Sequence, residues 1–575
     1  MAGRTVMFDC GAHFGFKDAR RFPEFGLLSR AGRFTEIIDA LVITHFHIDH
    51  IGALPYFTEV CGYRGPILMT YPTFAIAPLV LGDYVKVNAD RPGDRPPYTE
   101  EHVRECLRRV TAVDLHQEVS VAPGLSFTFH YAGHVLGAAM VHMAAGHLTC
   151  LYTGDFNSSS DRHLGPAALP TAAAGAGPSG GGLRRPDVLI CESTYAATLR
   201  DSKRAREREL LGAIVETVLI PTFAMGRAQE LLMLLTDCWE RRGLWQVPIY
   251  FSSAMASRAT TYYQLLLNWT NANVRRTIFS PAAPLAPPRA PASGPPARPT
   301  AGGRERRGAE RSGHGTEGVE EDREGIGGEE EADEKEEAHA CPDPDSSTAA
   351  APTDNPCHSS GALPPDIRNC NGTGKSCAVR APSDSRAGNV GVLPEADVYG
   401  MFRTSPWDRS LLHAPGPAVL FASPGNITSG VSLEAFRAWA GSPRNLVVLA
   451  GYQVRGTLGA RLEALQGQAG PHAASAGLEV PDGSGGGSGG AGRVEVRCRV
   501  RMLAFSAHAD VRGLMGLVRR CRPRAVVLVH GQREPMEFLS DRIQKHLGIE
   551  CHAPSTGSTV ALSPRAHVPL GRRCR

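Results

Sequence analysis

The sequence predicts an α/β protein whose short buried strands carry metal-ligating and acid–base residues at their C-terminal ends. Three observations predict it. The run Thr44-His45-Phe46-His47-Ile48-Asp49-His50 stands directly behind the apolar stretch from Ile37 to Ile43. Five further apolar stretches each close on a histidine, an aspartate or a glutamate. Helical stretches such as Thr58–Gly62 and Ser202–Thr217 lie between the strands, the alternation expected of an α/β chain.

Taken in order, Ala40–Ile43 leads to the histidine cluster. Its imidazoles and carboxylate suit zinc and its neighbours, and so many ligands in seven residues point to two ions. Phe127–Tyr131 then leads to His134, Leu148–Tyr152 to Asp155 in Thr-Gly-Asp, and Val188–Cys191 to Glu192. Far downstream, Arg501–Phe505 leads to His508 and Ala525–Val529 to His530. Alone, a histidine after a strand is more often a hydrogen-bonded core residue, and Asp155 could simply shape a turn. Six such endings in one chain point to one site, at the strand ends where α/β sheets place their sites.

The 575 residues suffice for two or more domains with sizeable cores, and 42% apolar with 21% charged residues describes a globular chain. No run of about 18 apolar residues occurs, so no membrane span is expected. The first residues lack a secretory apolar core because Asp9 interrupts them. Fourteen cysteines without CxxC pairs read as reduced thiols in an intracellular protein. The net charge is +3, but residues 317–337 carry twelve acids against Arg323 and Lys335, a local −10, leaving +13 for the rest. That basic remainder is compatible with a polyanionic partner or with an ordinary solvated surface.

From about 281 to 389 the chain turns to Pro, Ala, Gly, Ser and charge, and reads as a disordered insertion. Residues 466–492 include Gly-Ser-Gly-Gly-Gly-Ser-Gly-Gly and read as a linker.

On these residues the chain resembles the metallo-β-lactamase-fold nucleases of the β-CASP group. Similar sequences carry a first-strand aspartate, His-x-His-x-Asp-His, a later histidine, Thr-Gly-Asp, Glu-Ser-Thr-Tyr and two distal histidines. Within the group the likeness is to endonucleases of RNA 3′-end processing. The stretches Thr194–Arg204 and Asp161–Gly165 favour the Integrator-type branch over the polyadenylation-type branch.

The resemblance implies a metallo-β-lactamase αββα sandwich with an inserted β-CASP α/β domain. The first part of the sandwich would span 1–198 and the β-CASP domain 199–465. The returning part would span 493–565, followed by a tail at 566–575. Relatives carry a Gly-rich strand pair before the segment matching Val6–Cys10, so the sheet is expected to start without its outer strands. A lost turn is expected at Glu216–Leu219, where the helix would run straight into a strand.

The resemblance also assigns roles. His45, His47 and His134 would hold one Zn2+, Asp49, His50 and His530 a second, and Asp155 would bridge, with Asp9 orienting a ligand. His508, oriented by Glu192, would be the general acid for the leaving 3′-oxygen, and Asp49 would also be catalytic. RNA is the implied substrate, with phosphate contacts from Arg227 and Arg455. The implied setting is nuclear, or also cytoplasmic, in a multiprotein 3′-end-processing complex with a catalytically silent homologue. The rival readings are a non-catalytic scaffold homologue and a glyoxalase-type hydrolase. The full ligand set opposes the first; Glu192, His508 and the inserted domain oppose the second.

Overall fold

The computed structural model describes residues 1–13, 16, 18–89, 97–169, 185–214, 217–252, 254–279, 402, 404–454, 456–468, 476–480 and 492–563. The insertion expected at 281–389 and the tail at 566–575 lie outside them.

Four parallel strands, Val6–Phe8, Ala40–Val42, Ile67–Thr70 and Val110–Val113, form the first sheet in that order. The second sheet runs Glu550–His552, Ala525–Val529, Val188–Glu192, Leu148–Tyr152, Ala139–Ala145, Leu125–Tyr131, Glu118–Ala122. Strand periodicity divides the side chains between two layers. Ala40, Val42 and Leu68 pack between the sheets against Phe127, Phe129 and Val141. Their neighbours Leu41, Ile43 and Ile67 turn outward to Ala77 and Leu81 of helix Tyr71–Ala89. On the far side, Leu151, Leu189 and Val526 pack with Leu514 of helix Val511–Cys521 and Leu539 of helix Arg533–Leu547. The result is the expected αββα sandwich.

Strand Val188–Glu192 pairs in parallel with Ala525–Val529, from Val188↔Ala525 to Glu192↔Val529. The described chain between them builds a third sheet, ordered Ile249–Phe251, Val419–Ala422, Val218–Pro221, Leu446–Leu449, Arg499–Met502. Its central residues Leu219 and Ile220 are fully buried, each contributing about 1.5–3 kcal/mol of burial. Helix Arg227–Arg242 covers one face, through Leu231 and Leu235; helix Gly430–Trp439 covers the other, through Leu433 and Phe436.

Four expectations change. The strand expected at Arg501–Phe505 lies at Arg499–Met502 and pairs with Leu446–Leu449 at the edge of the third sheet. The stretch 466–492 is not linker throughout, because Ala476–Val480 forms an antiparallel pair with Gly492–Val496. The helix expected to reach Thr217 spans Lys203–Ala213, the strand follows at Val218–Pro221, and Val215 and Glu216 lie outside the described residues. Sheet pairing wins there, since the Val218 N–H donates to the Ala418 carbonyl at 2.8 Å. The turn expected as a helix at Thr58–Gly62 is a π-helical turn at Tyr56–Val60.

Candidate metal centre

The histidine run changes conformation as it leaves the sheet. His47 is extended (φ −62°, ψ 146°) and caps the short helix Ile48–Ile51. Extended backbone places His45 and His47, two residues apart, on one side. The helical turn then swings Asp49 and His50 toward a second position. Glycine makes this turn fit: a Cβ on Gly11 would sit 1.6 Å from the Asp49 carbonyl oxygen. Gly154, at φ +51°, lets Thr153-Gly154-Asp155 pass Thr44, and a Cβ there would lie 2.7 Å from that side chain.

The first nest consists of His45, His47, His134 and Asp155. His47 Nδ1 lies 3.0 Å from His45 Nε2 and 3.1 Å from His134 Nε2. Asp155 Oδ2 is 3.7 Å from His45 Nε2 and 3.6 Å from His134 Nε2. The His134 Nδ1–H donates to the Ala507 carbonyl at 2.9 Å, which directs the Nε2 lone pair inward. Burial, reinforced by the neighbouring imidazoles, holds His45 and His134 well below the usual histidine range. Burial likewise takes His47 down to about 4. Neutral imidazoles with converging lone pairs are what a metal ion requires.

The second nest consists of Asp49, His50 and His530. His530 Nε2 is 3.5 Å from Asp49 Oδ2, and His50 Nε2 is 3.2 Å from Asp155 Oδ2. His530 Nδ1 lies 3.5 Å from Asp155 Oδ1, so Asp155 faces both nests. Burial opposes charge on His50, but Asp155, Asp9 and Asp49 outweigh it and raise its pKa. Burial is likewise outweighed at His530, which Asp155 and Asp49 lift to about 9. This nest therefore favours positive charge. His50 Nε2 and Asp155 Oδ1 are buried and make no hydrogen bond. Two orphaned ligand atoms in a field that attracts cations fit a metal centre.

Asp9 stands behind this array. Its carboxylate accepts from His50 Nδ1–H and the Tyr152 hydroxyl, both at 2.8 Å, and from the Thr44 N–H at 2.8 Å. Fixing a ligand's far nitrogen in this way sets its tautomer. Asp9 (φ +60°) and His530 (φ +55°) are held in the left-handed region, strain of a kind that collects at functional sites.

His508 lies beside the nests, its ring centroid 4.6 Å from that of His134. Its Nδ1–H donates to Glu192 Oε2 at 2.8 Å. Glu192 is 1% exposed and also accepts from the Phe156 N–H and the Thr194 hydroxyl. Burial disfavours charge on His508, but Glu192 and Asp155 outweigh it and raise its pKa.

The structure thus brings together ten residues singled out in the sequence: Asp9, His45, His47, Asp49, His50, His134, Asp155, Glu192, His508 and His530. Arg227 lies against Asp161 at 3.5 Å, with its side chain 13% exposed. Arg455 lies outside the described residues.

Sequence reasoning missed three supporting groups. The Thr194 hydroxyl lies 2.6 Å from Glu192 Oε2, 2.9 Å from His530 Nδ1 and 3.4 Å from His508 Nδ1. Arg200 donates to the Ser506 carbonyl at 2.6 Å and to the His508 carbonyl; Arg206 donates to the Ala504 carbonyl. The two guanidiniums strap the loop that carries His508. Glu-Ser-Thr-Tyr pointed toward Thr194, but nothing local marks these two arginines among several others.

The sandwich, the inserted third sheet and the paired His/Asp nests are the architecture of the metallo-hydrolase class of fold. The chain matches the metallo-beta-lactamase superfamily over residues 2–200 and the Beta-Casp domain over 228–462. It also matches the Zn-dependent metallo-hydrolase RNA specificity domain over 493–554. It is 34% identical over 580 residues to an Integrator complex subunit 11 homolog of Dictyostelium discoideum, covering 99% of this chain and 60% of the relative. Identity is 37% over 572 residues to Cleavage and polyadenylation specificity factor subunit 3-II of Arabidopsis thaliana, covering 98% and 70%. With Integrator complex subunit 11 of Gallus gallus it is 34% over 576 residues, covering 99% and 72%. The chain belongs to the β-CASP family of the metallo-β-lactamase superfamily.

Proposed function

We propose that this chain is a zinc-dependent RNA endonuclease of RNA 3′-end processing, acting on small nuclear RNA and nascent transcripts within an Integrator-like complex. The observation that carries the reading is the continuous array of two donor nests sharing Asp155, with the His508–Glu192 pair beside them. His45, His47, His134 and Asp155 would hold one Zn2+, and Asp49, His50, His530 and Asp155 a second. Zinc bound there would supply charge neutralisation at a phosphodiester and acidify a water molecule.

The chain's own residues account for the remaining chemistry. Asp9 and the Ala507 carbonyl hold the far nitrogens of His50 and His134, and the Thr194 hydroxyl meets His530 Nδ1, so the ligand faces need little reorganisation. As the phosphorus–O3′ bond breaks, a proton held at His508 Nε2 passes to the departing 3′-oxygen. Glu192 keeps the imidazole oriented and stabilises its cationic form beforehand. The complete donor set opposes a catalytically silent scaffold. The Arabidopsis relative's name supports the alternative, a pre-mRNA cleavage and polyadenylation endonuclease. Relatives named as complex subunits support assembly into a multiprotein particle.

Metal analysis of the purified full chain, together with cleavage of single-stranded RNA and DNA, tests this reading. About two zinc ions per chain, RNA cleavage, and its loss in Asp49→Ala are expected. Absence of metal, or equal cleavage by Asp49→Ala, would overturn it.

A further inference from the structure

Two large aromatic side chains stand exposed near the centre, one against the first nest and one bonded to the residue that caps the helix after His530. Phe223 is 46% exposed, and its ring centroid lies 6.5 Å from that of His47 in the first nest. Tyr452 is 45% exposed, and its hydroxyl accepts from Gln532 Nε2 at 2.9 Å. Gln532 follows His530 of the second nest by two residues and caps helix Arg533–Leu547. The two aromatics also share an origin. Strands Val218–Pro221 and Leu446–Leu449 pair in parallel, with Leu219 opposite Val447, so the turns leaving their C-terminal ends emerge together at one sheet edge. Phe223 and Tyr452 are the second and third residues beyond those strands.

A buried imidazole–carboxylate centre bracketed by exposed rings has a particular chemistry. The centre itself fits a phosphodiester, and the rings offer flat apolar faces where a polar rim would otherwise be expected. Unpaired nucleobases present such faces, and base–aromatic stacking is indifferent to base identity. Base-paired RNA keeps its bases stacked on one another and cannot use the rings. Resting on the nuclease reading above, we propose that Phe223 and Tyr452 stack the unpaired bases on either side of the scissile phosphate, selecting a single strand without selecting its sequence. The Gln532–Tyr452 hydrogen bond fixes the second ring against the turn that carries His530.

Equilibrium binding of fluorescent single-stranded RNA to the full chain, measured with chelator present, tests this without relying on catalysis. Phe223→Ala and Tyr452→Ala should each weaken binding about 5- to 100-fold, while Phe223→Tyr and Tyr452→Phe retain most of it. The same oligonucleotide with two abasic positions at the centre should bind wild type weakly and be insensitive to either alanine change. Less than twofold loss on intact RNA, or equal loss on the abasic strand, would overturn the stacking role. Failure of the nuclease reading would look different: wild type would bind single strands and lose affinity in the variants, yet cut no RNA when loaded with zinc.

Discussion

Nδ1 of His508 lies 2.8 Å from Oε2 of Glu192, although 316 positions separate the two residues in the chain. The pairing joins the end of a second-sheet strand to the loop that follows a third-sheet strand. The candidate acid is therefore complete only when the inserted region is docked on the sandwich.

Replacing His508 with alanine should slow RNA cleavage by about 10²- to 10⁴-fold, the range of a lost general acid, while the protein keeps its metal. The pH dependence has a defined sign. A general acid must be protonated, and Glu192 helps raise the His508 pKa, so activity should fall as pH rises through that raised value. Glu192→Gln removes the charge and should shift this alkaline limb to lower pH, readable in a rate–pH profile.

Metal stoichiometry should separate the nests. His530→Ala should retain one ion and lose the other, because His530 contacts Asp49 and Asp155 but none of the first-nest imidazoles at ligand distance. Asp9→Ala should retain both sites with about 10- to 100-fold weaker affinity, since Asp9 fixes the His50 tautomer from behind. Metal titration followed by elemental analysis distinguishes the two variants.

One hydroxyl serves both the second nest and the candidate acid. Thr194→Val should therefore lower metal affinity and cleavage together, whereas Thr194→Ser should restore both. A purely structural defect would not be rescued by serine, which keeps the oxygen and discards the methyl group.

Stability at low pH should depend on Glu230, 2% exposed beneath the loop after Asp155. Its carboxylate meets His163 Nδ1 and Lys203 Nζ, each at 2.9 Å, and the Arg162 N–H at 2.6 Å. Burial alone would raise its pKa, but His163, Lys203 and Arg227 outweigh it and lower the value. A lowered carboxylate pKa stabilises the fold fully above the unfolded value of about 4.3, and that contribution is lost as pH falls below it. Glu230→Gln should cost about 3–5 kcal/mol near neutrality and flatten the acid limb of a denaturation curve. The neighbouring cations Lys203 and Arg227 make Asp161, His163 and Glu230 an ion-pair cluster rather than a further metal nest.

The sequence by itself determined the strands Leu148–Tyr152 and Ala525–Val529 residue for residue, and the polar group that each strand end delivers. Apolar runs and the spacing within Thr44–His50 are local properties, so they could be read without a partner in view. Tertiary structure alone decided the rest. Strand Arg499–Met502 joined the third sheet because Leu446–Leu449 offered an unpaired edge, a fact no local pattern records. Arg227 turned to Asp161 because a charge buried beside helix Arg227–Arg242 needs a counter-charge there. Thr194, Arg200 and Arg206 gained their roles only when loops some 300 positions away came within hydrogen-bond reach. Ligand identity is written in residue type and spacing, whereas the tautomers, straps and pairings that aim those ligands depend on what packs behind them.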